Sequence, residues 1–414
     1  MLFSDFVHIN PKTDLKKGEV YSFIEMEDVT PSNRYIRPVK QKQYKGGGCK
    51  YQSKDILFAR ITPCLENGKI AQVKINDEEI GFGSTEFFVF RSKNGISDDG
   101  YLFYLAYSDI LRKPAEKSMY GASGRQRAAL DTIKSVNVPD ISLTNQRIVS
   151  SILSTYDDLI ENNTRRITIL EEMAQLIYRE WFVNFRFPGF KKVKFVDSEL
   201  GKIPEGWQVK SFFDMRGIRF ISGNIPQYKG VKQYFATADV NGIDFVKEGI
   251  EYIYSNKPSR AQKQPILNSV WFARMKDTYK VLVFSNQNVD FVNSIMLSSG
   301  FAGFEAFSEN WLSFLFVSIK SADFHQQKDL YCTGATQMSL TNDGLARIKW
   351  LFPKESIVQE FDNIVRPLIN LILIYQRHNK TLRQTRDLLL PKLISGKLNV
   401  SYLDIDTRKQ ENDT

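Results

Sequence analysis

A narrow apolar seam that keeps helical spacing for about 30 residues defines a helix about 45 Å long, and something equally long has to cover it. From Leu153, the residues Tyr156, Ile160, Asn163, Ile167, Leu170, Ala174, Ile177 and Trp181 follow one another at alternating threes and fours, and all but Asn163 are apolar. An ordinary small domain cannot bury such a stripe, so the chain has to supply a second long helix.

Internal repetition locates it. The tripeptide FAR stands at positions 58–60 and again at 272–274, displaced by 214; YSFIEMEDV, ending at Val29, resembles YFATADV, ending at Val240, displaced by 211. Gly121-Ala122 returns as Gly334-Ala335 with a displacement of 213. Three short matches in one order and with one period indicate a duplicated unit of about half the chain. The same displacement carries Pro139 to Pro353 and Leu170 to Leu382, and there a second seam runs through Phe361, Val365, Leu368, Ile372, Tyr375, Asn379, Leu382, Arg386, Leu389 and Leu393. Asn163 and Asn379 are polar seam residues of the kind that fix register at some cost in stability. Pro367 and Pro391 each remove a backbone donor, so the second helix is expected to begin or bend near the first and end near the second.

Between the seams lie strand-like runs: ILFARI and EFFVFR in the first half, SVWFARM and KVLVFS in the second, with shorter helical stretches around GYLFYLAYSDILRK and ENWLSFLFVSIK. The expected fold is α+β: two α/β domains alternating with two long helices that pack as an antiparallel coiled coil, in a pseudo-twofold duplicated chain. The expected divisions are 1–145, a helical region over 146–190, 191–352, a second helical region over 353–400, and a polar tail over 401–414 that composition marks as disordered. SELGKIPEGW, just after the first helix, breaks periodic structure with Gly and Pro and serves as a boundary.

Catalytic signatures are missing from the sequence. It has no GxxxxGK[ST] loop, no HExxH, no GxSxG and no [DN]PP[YF] tetrapeptide, and GFGSTEF does not open a helix after a strand. Three cysteines with no CxxC pair and three scattered histidines suggest neither a disulfide framework nor a metal site. No apolar run reaches bilayer length and the N-terminus lacks the pattern of a secretory signal, so a cytoplasmic protein is expected. The formal net charge is +9, and residues 37–54 hold six Lys/Arg and no acid, interleaved with Tyr44, Tyr51 and three glycines. Such a run can lay ammonium groups and backbone N–H groups along a phosphate chain, or it can be a solvated loop.

Taken together, GASGRQRAAL followed by VPDISLTNQRIV, then LEEMAQLIYREWFVNF, SELGKIPEGW and LLLPKLISGKL, resemble the recurrent phrases of the specificity (S) subunit, HsdS, of type I restriction-modification systems. The resemblance spans almost the whole chain and is strongest in the helices. It implies two target recognition domains, each reading one half of a bipartite double-stranded DNA site. The helices would carry methyltransferase (M) subunits, two of them, and a restriction (R) subunit can join to translocate and cut. It also implies that this chain is non-catalytic and needs no cofactor, the S-adenosylmethionine belonging to the methyltransferase. A helical adaptor with two protein- or RNA-binding modules is the alternative.

Within that frame Lys40, Lys42, Lys45 and Lys50 are expected to touch phosphates. Arg125, Gln126 and Arg127, in a glycine-rich turn, are the first choice for reading bases, because Arg bonds guanine bidentately and Gln adenine. Thr336 and Gln337 occupy the matching place in the second half, with Asn286, Gln287 and Asn288 as a further polar cluster. Arg60 and Arg274, the repeated arginines of FAR, either contact DNA or pair with an internal carboxylate, and Glu86 is either such a partner or an acceptor from cytosine. Trp181, Phe182 and Phe185 are expected to reach a methyltransferase subunit, or else to be core.

Overall fold

The computed structural model describes residues 1–405 apart from 32, 123 and 215; most of the polar tail lies outside the described residues. The chain divides into two compact units, residues 1–162 with 379–414 and residues 163–378.

In the first unit a five-stranded sheet runs Val7–Ile9, Phe87–Ser92, Ile56–Ala59, Ile70–Val73 and Tyr35–Ile36. A four-stranded sheet runs Lys40–Gln43, Val20–Ile24, Ile80–Gly83 and Cys49–Gln52, its central pair parallel. Strand alternation makes the larger sheet the middle layer. Ile56, Phe58, Phe88 and Phe90 pack toward the helices Asp99–Tyr107 and Asp109–Lys117, while Leu57, Ala59, Phe87 and Val89 pack toward Ile24 and Tyr51 of the smaller sheet. That two-sided burial explains why ILFA has no polar residue.

The second unit repeats the plan. Its larger sheet runs Ile218–Phe220, Phe301–Ala306, Ser269–Ala273 and Val281–Phe284, and its smaller one Ile250–Tyr252, Lys232–Phe235, Ile295–Ser298 and Ala261–Lys263. Again the central pair of the smaller sheet is parallel. Val270, Phe272 and Phe304 face Phe314 and Leu315 of the helix Glu309–Ile319, and Trp271 and Ala273 face Phe235 and Leu297.

Two long helices, Leu143–Tyr178 and Glu355–Ile394, each pass from one unit into the other. In the first unit Val149 and Leu153 cluster with Leu390, Leu393 and Ile394, and the buried Asp157 pairs with Arg386. In the second, Arg166 donates to the Tyr375 hydroxyl at 3.1 Å and the rings of Tyr178, Trp181 and Phe182 meet Phe361. Early residues of one helix thus meet late residues of the other, which makes the pair antiparallel. None of the seam residues of either helix is classed as exposed, and Asn163 and Asn379 are buried among them.

One expectation needs correcting. The second helix starts at Glu355, well before Pro367, and runs through Pro391 to end three residues later at Ile394. Asn363 and Asp387, whose carbonyls would have accepted from positions 367 and 391, are exposed, so water can take the donor's place. The first helix ends in a π-helical turn, Arg179–Val183, and SELGKIPEGW follows it, contributing to a hairpin of Phe195–Ser198 with Gly201–Pro204.

Candidate functional site

In the first unit the loop of residues 121–127 is stitched to the chain that leaves the FAR strand. Ala128 N–H donates to Arg60 O at 2.8 Å, Thr62 N–H to Gln126 O at 3.0 Å, and Arg127 N–H to Tyr120 O at 2.9 Å. Gly121 turns the loop with φ 123°, a conformation that side chains resist. Arg127 does not point at a partner outside: its Nε donates to Glu86 Oε2 at 2.9 Å and its Nη2 to Glu86 Oε1 at 2.6 Å, a bidentate fork. This hydrogen-bonded fork holds the Glu86 carboxyl below its ordinary range. Arg60 Nε lies 3.7 Å from the same carboxylate, with its guanidinium 5.0 Å from the ring centre of Phe88. The internal-pairing alternative for Arg60 and Glu86 therefore describes this structure, and Arg127 is corrected from a free base-reading group to a held one. Arg125 is exposed and Gln126 half-buried, and neither side chain has a polar partner among the described residues.

The second unit builds the same corner with other residues. Leu340 N–H donates to Arg274 O at 2.9 Å and Lys276 N–H to Met338 O at 3.0 Å, and Gly334 turns with φ 133°. Met338 therefore stands where the first unit has Gln126, and Gln337 where it has Arg125. Arg274 N–H donates to Gly300 O at 2.9 Å as Arg60 N–H does to Glu86 O at 3.0 Å, so glycine replaces the clamping carboxylate. Arg274 is corrected as well: its Nη1 donates to Leu340 O and its Nη2 to Asn342 Oδ1, both at 2.8 Å, and burial lowers its pKa. Thr336 and Gln337 are exposed on the loop.

The polar cluster 286–288 is not part of this corner. Phe272 pairs with Val281 and Ser269 with Phe284, so residues after Phe284 lie at the far end of the sheet from Arg274. There Asn288 closes a short turn, its Oδ1 accepting from Ser285 N–H at 2.8 Å and its Nδ2 donating to Val283 O at 3.1 Å; Gln287 is exposed beside it.

The lysine run supplies both outer strands of the first unit's smaller sheet, Lys40–Gln43 and Cys49–Gln52, joined by residues 44–48. Tyr44 is buried against Phe82, which packs on Phe23. The ammonium of Lys42 lies 4.2 Å from the ring centre of Phe23, and that of Lys50 5.7 Å from Tyr44. Lys45 is exposed, and Gly46, Gly47 and Gly48 follow with φ 107°, 76° and 72°. Gly48 is obligatory, since a Cβ there would sit 2.5 Å from Gly83 O. Lys40 departs from expectation: Glu25 at 2.7 Å, Asp28 at 2.9 Å and Glu27 at 3.3 Å surround its ammonium, and their hydrogen bonds, Glu25's foremost, raise its pKa. Its charge is satisfied internally. Among the described residues those three carboxylates are the one group close enough to share a metal ion, and Lys40 fills the space between them.

The aromatic group at the end of the first long helix is also corrected. Trp181 and Phe182 are buried in the second unit's own core, Phe182 meeting Phe314, Phe361 and Trp207 at ring separations of 5.0, 5.0 and 5.8 Å. Phe185, half-buried, packs on Trp207 and Phe195. The apolar residues left outside are others: Leu159 and Leu371 are 46% and 41% exposed, Leu176 and Leu388 49% and 71%. Each pair is separated by 212 positions, the period of the duplication. Beside Leu176 a groove of about 420 Å³ opens, lined also by Gln175, Arg179, Val183 and Asp323. No helix among the described residues is long and apolar enough to cross a membrane.

Residues 5–172 match the family model of the type I restriction modification DNA specificity domain. The chain is 28% identical over 327 residues to the type I restriction enzyme MjaIX specificity subunit of Methanocaldococcus jannaschii, covering 75% of this chain and 71% of that one. It is 23% identical over 416 residues to the HindI specificity subunit of Haemophilus influenzae, covering 83% and 86%. Among solved structures, the type I S subunit from M. genitalium aligns over 95% of both chains at 13% identity with a TM-score of 0.49.

Proposed function

We propose, from the premise that this chain belongs to the specificity-subunit family of type I restriction-modification systems, that it reads a bipartite double-stranded DNA site, one half with each α/β unit. The observation that carries this reading is the duplicated corner: a loop turned by a positive-φ glycine, hydrogen-bonded to the chain after FAR, offers Arg125 and Gln126 in one unit and Thr336 and Gln337 in the other. The exposed Arg125 and the half-buried Gln126 carry the donors and acceptors that match guanine and adenine edges in the major groove. Lys42, Lys45 and Lys50 supply sequence-independent phosphate contacts. The chain itself is a recognition subunit; methylation of adenine with S-adenosylmethionine belongs to methyltransferase subunits, and cleavage to a restriction subunit. The outward leucines, repeated at the period of the duplication, suit two methyltransferase contacts better than the buried Trp181 and Phe182.

Co-expression with the neighbouring methyltransferase gene, followed by mapping of methylated adenines, tests this. A discontinuous motif with two fixed halves is expected; methylation without such a motif, or none in an assembled complex, overturns the reading. For the partner surface, Leu176→Asp and Leu388→Asp leave folding intact and reduce copurification of the methyltransferase, whereas unchanged copurification removes the leucines from the interface.

A further inference from the structure

We infer that Glu86 sets what the first recognition unit reads, acting as a positioning residue that withholds Arg127 from DNA and thereby leaves Arg125 and Gln126 as the reading pair. The inference rests on the DNA-reading function proposed above. Its basis is a difference between two otherwise matched corners. Glu86 lies 41 residues from Arg127 in sequence, yet its two oxygens take Nε and Nη2 of that guanidinium at 2.9 and 2.6 Å, and Arg60 lies 3.7 Å from the same group. With its Nε and Nη2 donors taken by a carboxylate, the guanidinium cannot present that edge to guanine O6 and N7. The backbone of Arg127 simultaneously closes the loop onto Tyr120 through a reciprocal pair of bonds at 2.9 and 3.2 Å, so the clamp fixes the base of the loop from which Arg125 and Gln126 project. In the second unit the place of Glu86 is taken by Gly300 and that of Arg127 by Ser339; no carboxylate is needed there because Arg274 is held by a carbonyl and an amide oxygen. The clamp is therefore not a requirement of the fold, since the second copy builds the corner without it.

The test uses the full complex with its methyltransferase and maps methylated adenines for E86Q, R127A and R125A. E86Q keeps the shape of the side chain and removes its charge. It is expected to relax, about tenfold or more, the same base pairs that R125A relaxes, with the other half of the motif unchanged, and to steepen the salt dependence of DNA binding as Arg127 becomes free to meet a phosphate. R127A is expected to act on the same base pairs. If E86Q leaves the motif unaltered while R127A abolishes one half, Arg127 reads DNA directly and the inference fails. Should either single variant lower the melting temperature, the charge-swapped pair E86R/R127E restores the clamp; recovery of first-half reading supports the inference, and a folded double variant that still misreads overturns it. A wild-type complex without a discontinuous motif would instead bring down the underlying function, a result distinguishable from these.

Discussion

The first and second units share a fold and differ in how they spend their charges. In the first, polar groups are tied to one another: Glu86 to Arg127 and Arg60, Lys40 to three carboxylates, and the buried Asp157 to Arg386 and, at 2.5 Å, to the Tyr104 hydroxyl, while Arg34 donates to Gln72 at 3.0 Å nearby. In the second, the corresponding corner relies on backbone and amide oxygens, and the helix contact uses Asp362 with Ser313 at 2.6 Å and the half-buried Arg366. The same backbone plan therefore tolerates very different side-chain electrostatics, as the proposed reading of two different half-sites requires.

The largest expected difference concerns the helix contacts. Asp157→Ala leaves the buried Arg386 with only the half-exposed carboxylate of Asp387 at 2.9 Å, and is expected to cost about 3 kcal/mol, lowering the melting of the first unit. Asp362→Ala leaves a hydroxyl and a guanidinium that is one-third exposed, and is expected to cost about 1–3 kcal/mol in the second. Calorimetry with two resolved transitions checks both; equal losses would mean that the two contacts are equivalent after all.

Acid separates the units next. His325, packed against Tyr279 at 4.6 Å, has its pKa lowered to about 4, chiefly by burial and then by Lys328. A depressed folded pKa means stability that is full above the unfolded value near 6.5 and is lost as pH falls toward 4. The second unit should lose on the order of 2 kcal/mol across that window, and His325→Gln should remove the slope. A slope that persists in the variant would place the titration elsewhere.

The loop glycines give a smaller contrast. A Cβ at Gly334 would lie 2.6 Å from Gln337 O, against 3.4 Å from Arg125 O at Gly121. Both positions have positive φ, so Gly334→Ala is expected to cost about 1–3 kcal/mol and Gly121→Ala about 1 kcal/mol, read from melting temperatures. The reverse order would show that the longer first loop is the more rigid.

Much of this was legible in the sequence, for physical reasons. The two seams could be read because helical periodicity is local, and every residue named in them is withdrawn from solvent, Asn163 and Asn379 included. The FAR repeat could be read because Phe58 and Phe272 occupy equivalent central strands. What escaped was nonlocal. Nothing near Arg127 announces Glu86, and nothing near Lys40 announces that Glu25, Glu27 and Asp28 fold around it rather than leaving it for phosphate. Trp181 and Phe182 looked surplus because their cover, Trp207 and Phe314, comes from beyond the helix. Asn286–Asn288 looked like a reading cluster because polarity is visible in sequence, whereas the end of the strand that carries it is not. The prolines misled because a helix whose affected carbonyls belong to exposed residues can lose single bonds to water.

The central claim is that matched loops of the two copies read different halves of one DNA site. Mapping methylated adenines in cells that express the methyltransferase with the wild-type chain, with Arg125→Ala/Gln126→Ala or with Gln337→Ala tests it most directly. Each lost base contact should cost about 1–3 kcal/mol of discrimination. The account predicts that the first variant relaxes one half of the motif and the second the other. Relaxation of the same half by both, or an unchanged motif in two folded and active complexes, would contradict it.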